Sequence, residues 1–351
     1  MPKRPARALS GAAFLVLIFP LLALPPTLPA QQPRFDGRVP HYTVVDLGTL
    51  GGGYSEAYAV NASGQVVGDS ATAGGSSHAF LWSGGAMTDL NLPGTSATAR
   101  SINSSGQVGG YYYEGSYEGY VLTGGTVTDV GNLGALYSAT YAINATGQAC
   151  GSSMTSSDDE HAFFFSGGVI HDINPLGGNY STARGINAAG KVVGYGYLPN
   201  GAFHAYVRTS AGVVTDLGTL GGDYSAAWAI NDSGKVVGQA YLPGNVQAHA
   251  FLWSGSTLRD LGLLPGGVYS EAHALNSTAT QIVGSATVPD PQFLVYHAFL
   301  YVTGRMRDLN ALIPHGSGWV LSEANGINEA GQIVGTGTKN GQTRAFLLNP
   351  Q

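Results

Sequence analysis

Three glutamates, two arginines and a histidine fall at equivalent places in a chain that otherwise repeats itself. The frame small-x-small-x-small-Ile-Asn occurs seven times. Its x positions are Glu56 and Tyr58, Thr98 and Arg100, Ala139 and Tyr141, Thr182 and Arg184, Ala226 and Trp228, Glu271 and His273, and Glu323 and Asn325. The small residues and the Asn hardly change. Positions held constant in every copy answer to packing that all copies share, whereas free variation marks a place where packing does not dictate the residue. The candidate ligand-binding set is therefore Glu56, Tyr58, Arg100, Tyr141, Arg184, Trp228, Glu271, His273, Glu323 and Asn325. Polar groups converging among flat aromatic surfaces make a ligand pocket. Two of Glu56, Glu271 and Glu323 could also serve as acid and base on a glycosidic bond, with His273 carrying the proton, if their carboxyls lie roughly 5 to 10 Å apart. The competing reading leaves these side chains wedged between repeats or solvated.

Other constellations are weaker. His78, His161, His204, His249 and His297 share one repeat position. Zinc needs three or four ligands within about 2 Å of one point, and equivalent atoms around a ring cannot converge, so neither a metal nor another cofactor is expected. Structural pairing is expected instead. With a turn at Ser83-Gly84-Gly85, Phe80 falls opposite Asp89, and His78 lies diagonal to that Asp within hydrogen-bond reach. Asn61, Asn103, Asn144, Asn231 and Asn276 head Asn-x-Ser/Thr sequons, which turn formation explains better than glycosylation. Asp158-Asp159-Glu160 lacks the alternating ligands of a calcium loop. No Gly-x-Ser-x-Gly elbow, His-Glu-x-x-His pair or phosphate-cradling glycine loop occurs, and no catalytic residue is assigned.

The elements that position these residues follow from the repeat. An Asp recurs at Asp46, Asp89, Asp129, Asp172, Asp216, Asp260 and Asp308, a spacing of roughly 43 residues that marks a β-propeller array. In the first copy, strands are predicted at Ser55 to Asn61, Gln65 to Asp69, His78 to Trp82 and Met87 to Leu90. They are separated by turns at Ala62-Ser63-Gly64 and Ser83-Gly84-Gly85. Paired apolar residues such as Val66-Val67 and Phe80-Leu81 fit a sheet covered on both faces. Copy six has Ala279 and one extra residue at its first turn, where a bulged or longer turn is expected. The segment Tyr42 to Leu47 is a fourth strand without a third, and Arg344 to Leu348 is a third without a fourth. Together they complete one blade. The fold class is all-β, a seven-bladed β-propeller of four-stranded antiparallel blades, closed by the N-terminal strand. The x positions then stand at the mouth of the central channel. The connections between second and third strands are read as long loops on the functional face, carrying Tyr111, Tyr112, Tyr113, Tyr117, Tyr197, Tyr241, Phe293 and Tyr296.

Composition bounds the rest. Lys3, Arg4 and Arg7 precede an apolar run from Ala12 to Ala23 and a small-residue exit at Ala30, so residues 1–30 read as a secretory signal peptide. The run is short of the roughly 20 residues that a membrane span requires. Residues 31–41 are assigned as a linker and 42–351 as one propeller domain. Charged residues are 10%, far below the roughly 25% of ordinary domains, and there are 53 Gly. A net charge of −6 with few basic clusters excludes a nucleic-acid partner. The lone Cys150 stands where other copies have Val and reads as a core residue.

The His-Ala-Phe strand start, the Ile-Asn-x-x-Gly-x-Val-Val-Gly hairpin and the Thr-Asp-Leu-Gly strand end resemble the bacterial HAF probable extracellular repeat family, over about residues 42–349. The signature is complete at His78-Ala79-Phe80, His161-Ala162-Phe163, His249-Ala250-Phe251 and His297-Ala298-Phe299. It is near at His204-Ala205-Tyr206 and departs at Gly119-Tyr120 and Arg344-Ala345-Phe346. The resemblance implies the fold and export, and carries no activity or catalytic residue. The expectation is a secreted or periplasmic, monomeric binding protein that holds a glycan, or a cell-surface protein or polymer, at the channel mouth. The alternatives are a glycan-acting hydrolase or lyase using the mouth carboxylates, and an exported structural repeat protein without a specific ligand.

Overall fold

The computed structural model describes residues 39–290 and 295–351. The signal-peptide assignment, most of the 31–41 linker and Phe293 lie outside the described residues. Seven four-stranded antiparallel sheets make up the ring of a seven-bladed β-propeller. Blade one comprises strands Gly51–Val60, Val66–Thr72, Ser77–Ser83 and Ala86–Asp89, in order from the axis outward. In blade seven the strand Tyr42–Asp46 pairs with Gln342–Pro350, setting Val44 opposite Leu348 and Asp46 opposite Phe346. The first and last described strands therefore close the ring in one sheet.

Each repeated residue has a mechanical task. The aromatic of the His-Ala-Phe start is buried in every blade: Phe80, Phe163, Phe251, Phe299 and Phe346, with Tyr120 and Tyr206 as the two variants. It covers the glycine of the second strand; a Cβ on Gly68 would meet the Phe80 ring at 2.8 Å. Phe80 lies opposite Asp89, and His78 reaches that Asp through Nδ1 at 2.7 Å, the pairing expected from the turn. His161–Asp172, His204–Asp216, His249–Asp260 and His297–Asp308 repeat it at 2.7 to 2.8 Å. These pairs tie the third strand to the fourth at the rim. Because Asp260 is largely open to water, the H249A substitution should cost only about 1 kcal/mol in urea unfolding; a loss several times larger would assign the pair a heavier role.

Two further sets of bonds join blade to blade. Ser138, Ser181, Ser225 and Ser270, all fully buried, accept from the backbone N–H of Gly119, Ala162, Ala205 and Ala250 in the preceding blade. Ser55 does the same for Ala345 across the closure. The turn asparagines do more than shape their hairpins. Asn61 Oδ1 accepts from the N–H groups of Ser63 and Gln65, while its Nδ2 donates to the carbonyl of Asn103 in the next blade. The same link passes from Asn103 to Asn144, to Asn187, to Asn231 and to Asn276, and from Asn328 back to Asn61. Between blades six and seven the Glu329 carboxylate takes the N–H and hydroxyl of Ser277 instead. Copy six has the lengthened turn: Asn276 bonds to Gln281 across it, and Ala279 takes a φ of 54°.

One expectation needs correction. Where the connections between second and third strands are fully described, in every blade but the sixth, they are compact hairpins, from 340–341 in blade seven to 242–247 in blade five, not long loops. Their aromatics sit mostly on strand ends, because extending the ladder satisfies backbone groups that a loop would leave to solvent. Tyr112 is buried in the blade interface, whereas Tyr113, Tyr117, Tyr197 and Tyr296 are exposed. Cys150 packs among Ala162, Leu176 and Ala183, and burial pushes its thiol pKa far up.

Candidate functional site in the channel mouth

Every inner strand carries a β-bulge at the same point. Pairing slips between Ala57 and Ala59, Ala99 and Ser101, Thr140 and Ala142, Ala183 and Gly185, Ala227 and Ala229, Ala272 and Ala274, and Ala324 and Gly326. The residue passed over is always the second x: Tyr58, Arg100, Tyr141, Arg184, Trp228, His273 or Asn325. A bulge leaves its extra residue out of the ladder and re-aims the side chain. These seven side chains meet around the axis. Five of them, Tyr58, Arg184, Trp228, His273 and Asn325, line two cavities at once, so they form a wall across the channel. Below the wall lies an apolar vestibule lined by Val60, Ile102, Ile186, Ile230 and Ile327. Above it, on the face of the blade-to-blade crossings, lies a polar cavity of about 320 Å³.

Nine of the ten candidate residues line that upper cavity: Tyr58, Arg100, Tyr141, Arg184, Trp228, Glu271, His273, Glu323 and Asn325. Glu56 stands behind it, accepting from the Tyr58 hydroxyl at 2.7 Å. The first x position divides. Ala139, Thr182 and Ala226 are buried between blades, as the wedge reading has it, while Glu323 is exposed and Glu271 reaches the cavity.

The wall is held together side chain to side chain. The Arg100 guanidinium lies 4.2 Å from the centre of the Tyr58 ring, and that of Arg184 lies 4.1 Å from Tyr141 and 5.1 Å from Trp228. His273 stands edge-on to Trp228. Its Nε2 faces Glu271 at 3.1 Å and its Nδ1 faces Asn325 Oδ1 at 3.1 Å. Asn325 in turn donates through Nδ2 to the Ala57 carbonyl, which fixes its amide so that Oδ1 is the end presented to His273. Both ring nitrogens thus meet acceptors, an arrangement that suits imidazolium.

The charge balance agrees. Burial alone would pull the His273 pKa down, but the bond and charge of Glu271 outweigh it and hold it above the ordinary value. Burial would push Glu271 up, yet His273 and the hydroxyls of Tyr269 and Ser285 bring it below the usual carboxylate range. Glu323 exposes part of its surface, but its carboxyl sits deep enough in the mouth that desolvation raises it, and the charges of Glu271 and Glu56 add to this against the opposing pull of His273 and Arg100. The raised imidazole contributes stability that is complete below its unfolded value of about 6.5 and is lost as pH climbs through the folded value. The lowered carboxylate loses its share as pH falls through its own folded value. The pair is therefore strongest between the two. NMR titration of the His273 ring should show a lower pKa in E271Q than in the parent chain; an unchanged value would dissociate the two groups.

A second tier of variable residues, of which the sequence marks only Tyr111 as a functional-face aromatic, faces the first. Directly opposite the first x positions stand Asp69, Tyr111, Ser152, Tyr195, Gln239, Ser285 and Thr336. Tyr111 and Tyr195 accept from Arg100 and Arg184, and Ser285 donates to Glu271. Burial raises the Asp69 pKa, and Glu56 beside it adds to the shift. The available signal was a variable residue immediately after the constant glycine of Val-Val-Gly. Farther out on the same face, ring contacts link Tyr111, Tyr117 and Tyr113 with Tyr137, and Tyr197 through Phe203 to Tyr224 and Tyr241. An aromatic rim surrounds much of the mouth.

Fold and site define a class, a closed seven-bladed propeller with a walled, polar axial mouth. No family model matches the chain, and no curated protein matches it. Among solved structures it is similar to the β-propeller domain of the Trilobed protease from Pyrococcus furiosus, described as having an open velcro topology. That similarity has a TM-score of 0.52 at 9% identity, over 88% of this chain and 97% of that one. It is also similar to an oligogalacturonate lyase from Vibrio parahaemolyticus, with a TM-score of 0.50 at 8% identity over 87% and 93% of the two chains. A TolB-like protein from Agrobacterium tumefaciens gives 0.47 at 13% identity over 90% and 99%. At these identities the first two similarities support the propeller fold alone.

Proposed function

We propose that this protein is a non-catalytic binding propeller, acting outside the cytoplasm, that holds a glycan at the channel mouth on the crossing face. The observation that carries the reading is the upper cavity itself, where bulge residues gather arginines and aromatic rings beside the Glu271 and Glu323 carboxylates around about 320 Å³. Pockets of this make-up fix a ligand by a few placed polar groups among apolar surfaces. The exposed Tyr113, Tyr117, Tyr197 and Tyr296 extend that surface outward and suit stacking on sugar rings. The signal-like N-terminus supports export, and among the described residues no helix is long and apolar enough to cross a membrane. Binding is favoured over glycosidic cleavage because Glu271 is engaged by His273, Tyr269 and Ser285, and Glu56 by Tyr58. A glycosidase pair needs two carboxyls free to handle protons. A glycan array with the purified chain, followed by reducing-end assays on any hit, tests the reading. Saturable binding without release of reducing ends is expected, and E271Q should weaken that binding. Release that disappears in both E271Q and E323Q would make the protein an enzyme, and a blank array would remove the glycan.

A further inference from the structure

Arg100 and Arg184 reach the cavity wall without an ion-pair partner among the described residues. Among the described residues, neither arginine belongs to an ion pair such as the five His–Asp pins, His273–Glu271 or Lys339–Asp46. Each arginine gives Nη2 to a tyrosine hydroxyl, Arg100 to Tyr111 at 3.4 Å and Arg184 to Tyr195 at 2.9 Å. Neither Nη1 has a hydrogen-bond acceptor among the described residues, and both Nε atoms, like Trp228 Nε1, are buried without a partner. Aromatic faces hold the two guanidiniums in place, but a ring quadrupole does not neutralise a charge. Charges taken out of water are as a rule paired, and these two cations repel one another. Glu271, in the cavity, and Glu56, behind it, are already engaged, and Glu323 on the cavity wall feels the charge of Arg100 but forms no ion pair with either arginine, so an anion from outside would complete the balance.

Resting on the glycan reading above, we infer that the mouth takes a sugar bearing a carboxylate, a terminal hexuronate, with its carboxylate held between Arg100 and Arg184. A planar carboxylate matches the guanidinium fork. The Glu323 carboxylate, which makes no side-chain hydrogen bond to the described residues, lines the same cavity and can meet hydroxyls. The bulge residues stand between this cavity and the vestibule beneath it, and the volume lies at the small end of ligand pockets. The ligand therefore enters end-on, by its last residue.

Calorimetry on the full chain with a glucuronate-terminated oligosaccharide, its glucose-terminated equivalent and acetate tests the assignment. Glucuronate should bind about 10- to 100-fold more tightly than glucose, as charge-assisted bonds provide. The preference should shrink as salt is raised, and Trp228 emission should respond to filling. R100Q and R184Q should each lower glucuronate affinity about tenfold or more, with R184K losing less. Should either Gln variant fail to fold, the comparison of the two sugars on the parent chain decides alone. Equal binding of glucose and glucuronate would overturn this inference and leave the glycan reading standing. Acetate binding as tightly as glucuronate would remove the sugar and overturn both, as would no binding at all.

Discussion

A chain beginning at Leu47 should no longer form a stable closed ring. The segment it lacks supplies five ladder positions to Gln342–Pro350, and Tyr42 buries its side chain completely among Leu309, Leu312, Trp319 and Phe346. Tyr42 also donates its N–H to the Leu312 carbonyl, and Asp46 pairs with Lys339 at 3.2 Å. Losing one buried aromatic of this kind costs about 3 to 5 kcal/mol. A whole domain is stable by about 5 to 15 kcal/mol, so Tyr42 alone accounts for a large part of the margin. The newly bare edge of Gln342–Pro350 is also a template for pairing with another copy. Thermal unfolding and light scattering should show a strongly lowered or absent cooperative transition together with aggregation. A synthetic peptide spanning 39–47 should restore part of the transition by adding the strand back. A truncated chain that melts like the full one would mean that the ring is held shut elsewhere.

The second large effect is expected at the constant glycine of the second strand. A Cβ on Gly238 would lie 1.9 Å from the Ala226 carbonyl oxygen and 2.9 Å from Ala227 Cα, both backbone atoms that no rotamer change can move. All seven blades show the same approach, at 1.9 to 2.0 Å from the carbonyl just before the bulge. The glycine is thus the counterpart of the bulge: the bulged strand can press that close only where the facing residue has no side chain. G238A should destabilise by at least about 3 kcal/mol, the upper range of overpacking, and should shift Trp228 emission because that ring is the residue the bulge aims. The control is Gly53→Ala, where a Cβ meets nothing within 4 Å and the change should stay within about 0.5 kcal/mol. If the two variants unfold alike, the bulge does not depend on the glycine.

These glycines show how much of the site was legible. The Val-Val-Gly triplet marks a hairpin strand, and the x positions of the neighbouring strand stand out by their variation alone; the nine residues lining the cavity come from that pattern. The bulge did not show, because it exists only between paired strands, where a carbonyl on one needs an empty place on the other. For the same reason Asp69, Tyr195 and Ser285 do not stand out, and Tyr111 stands out only as an aromatic of the outer face, not as the partner of Arg100. Each matters by facing a particular residue across the ladder, and a strand read singly has no opposite. The turn asparagines were understood only by half, since their bonds to the next blade join residues more than 40 positions apart.

Local pattern therefore determined the strands, the blade count, the closure and the His–Asp pins, because each depends on neighbours within one hairpin or on simple repetition of a unit. Tertiary structure alone decided which side chains share the axial cavity, that His273 sits between Glu271 and Asn325, and that Arg100 and Arg184 form no ion pair among the described residues. Those outcomes depend on distances summed around a closed ring and on how deeply each charge is removed from water. Such quantities exist only once all seven blades are in place.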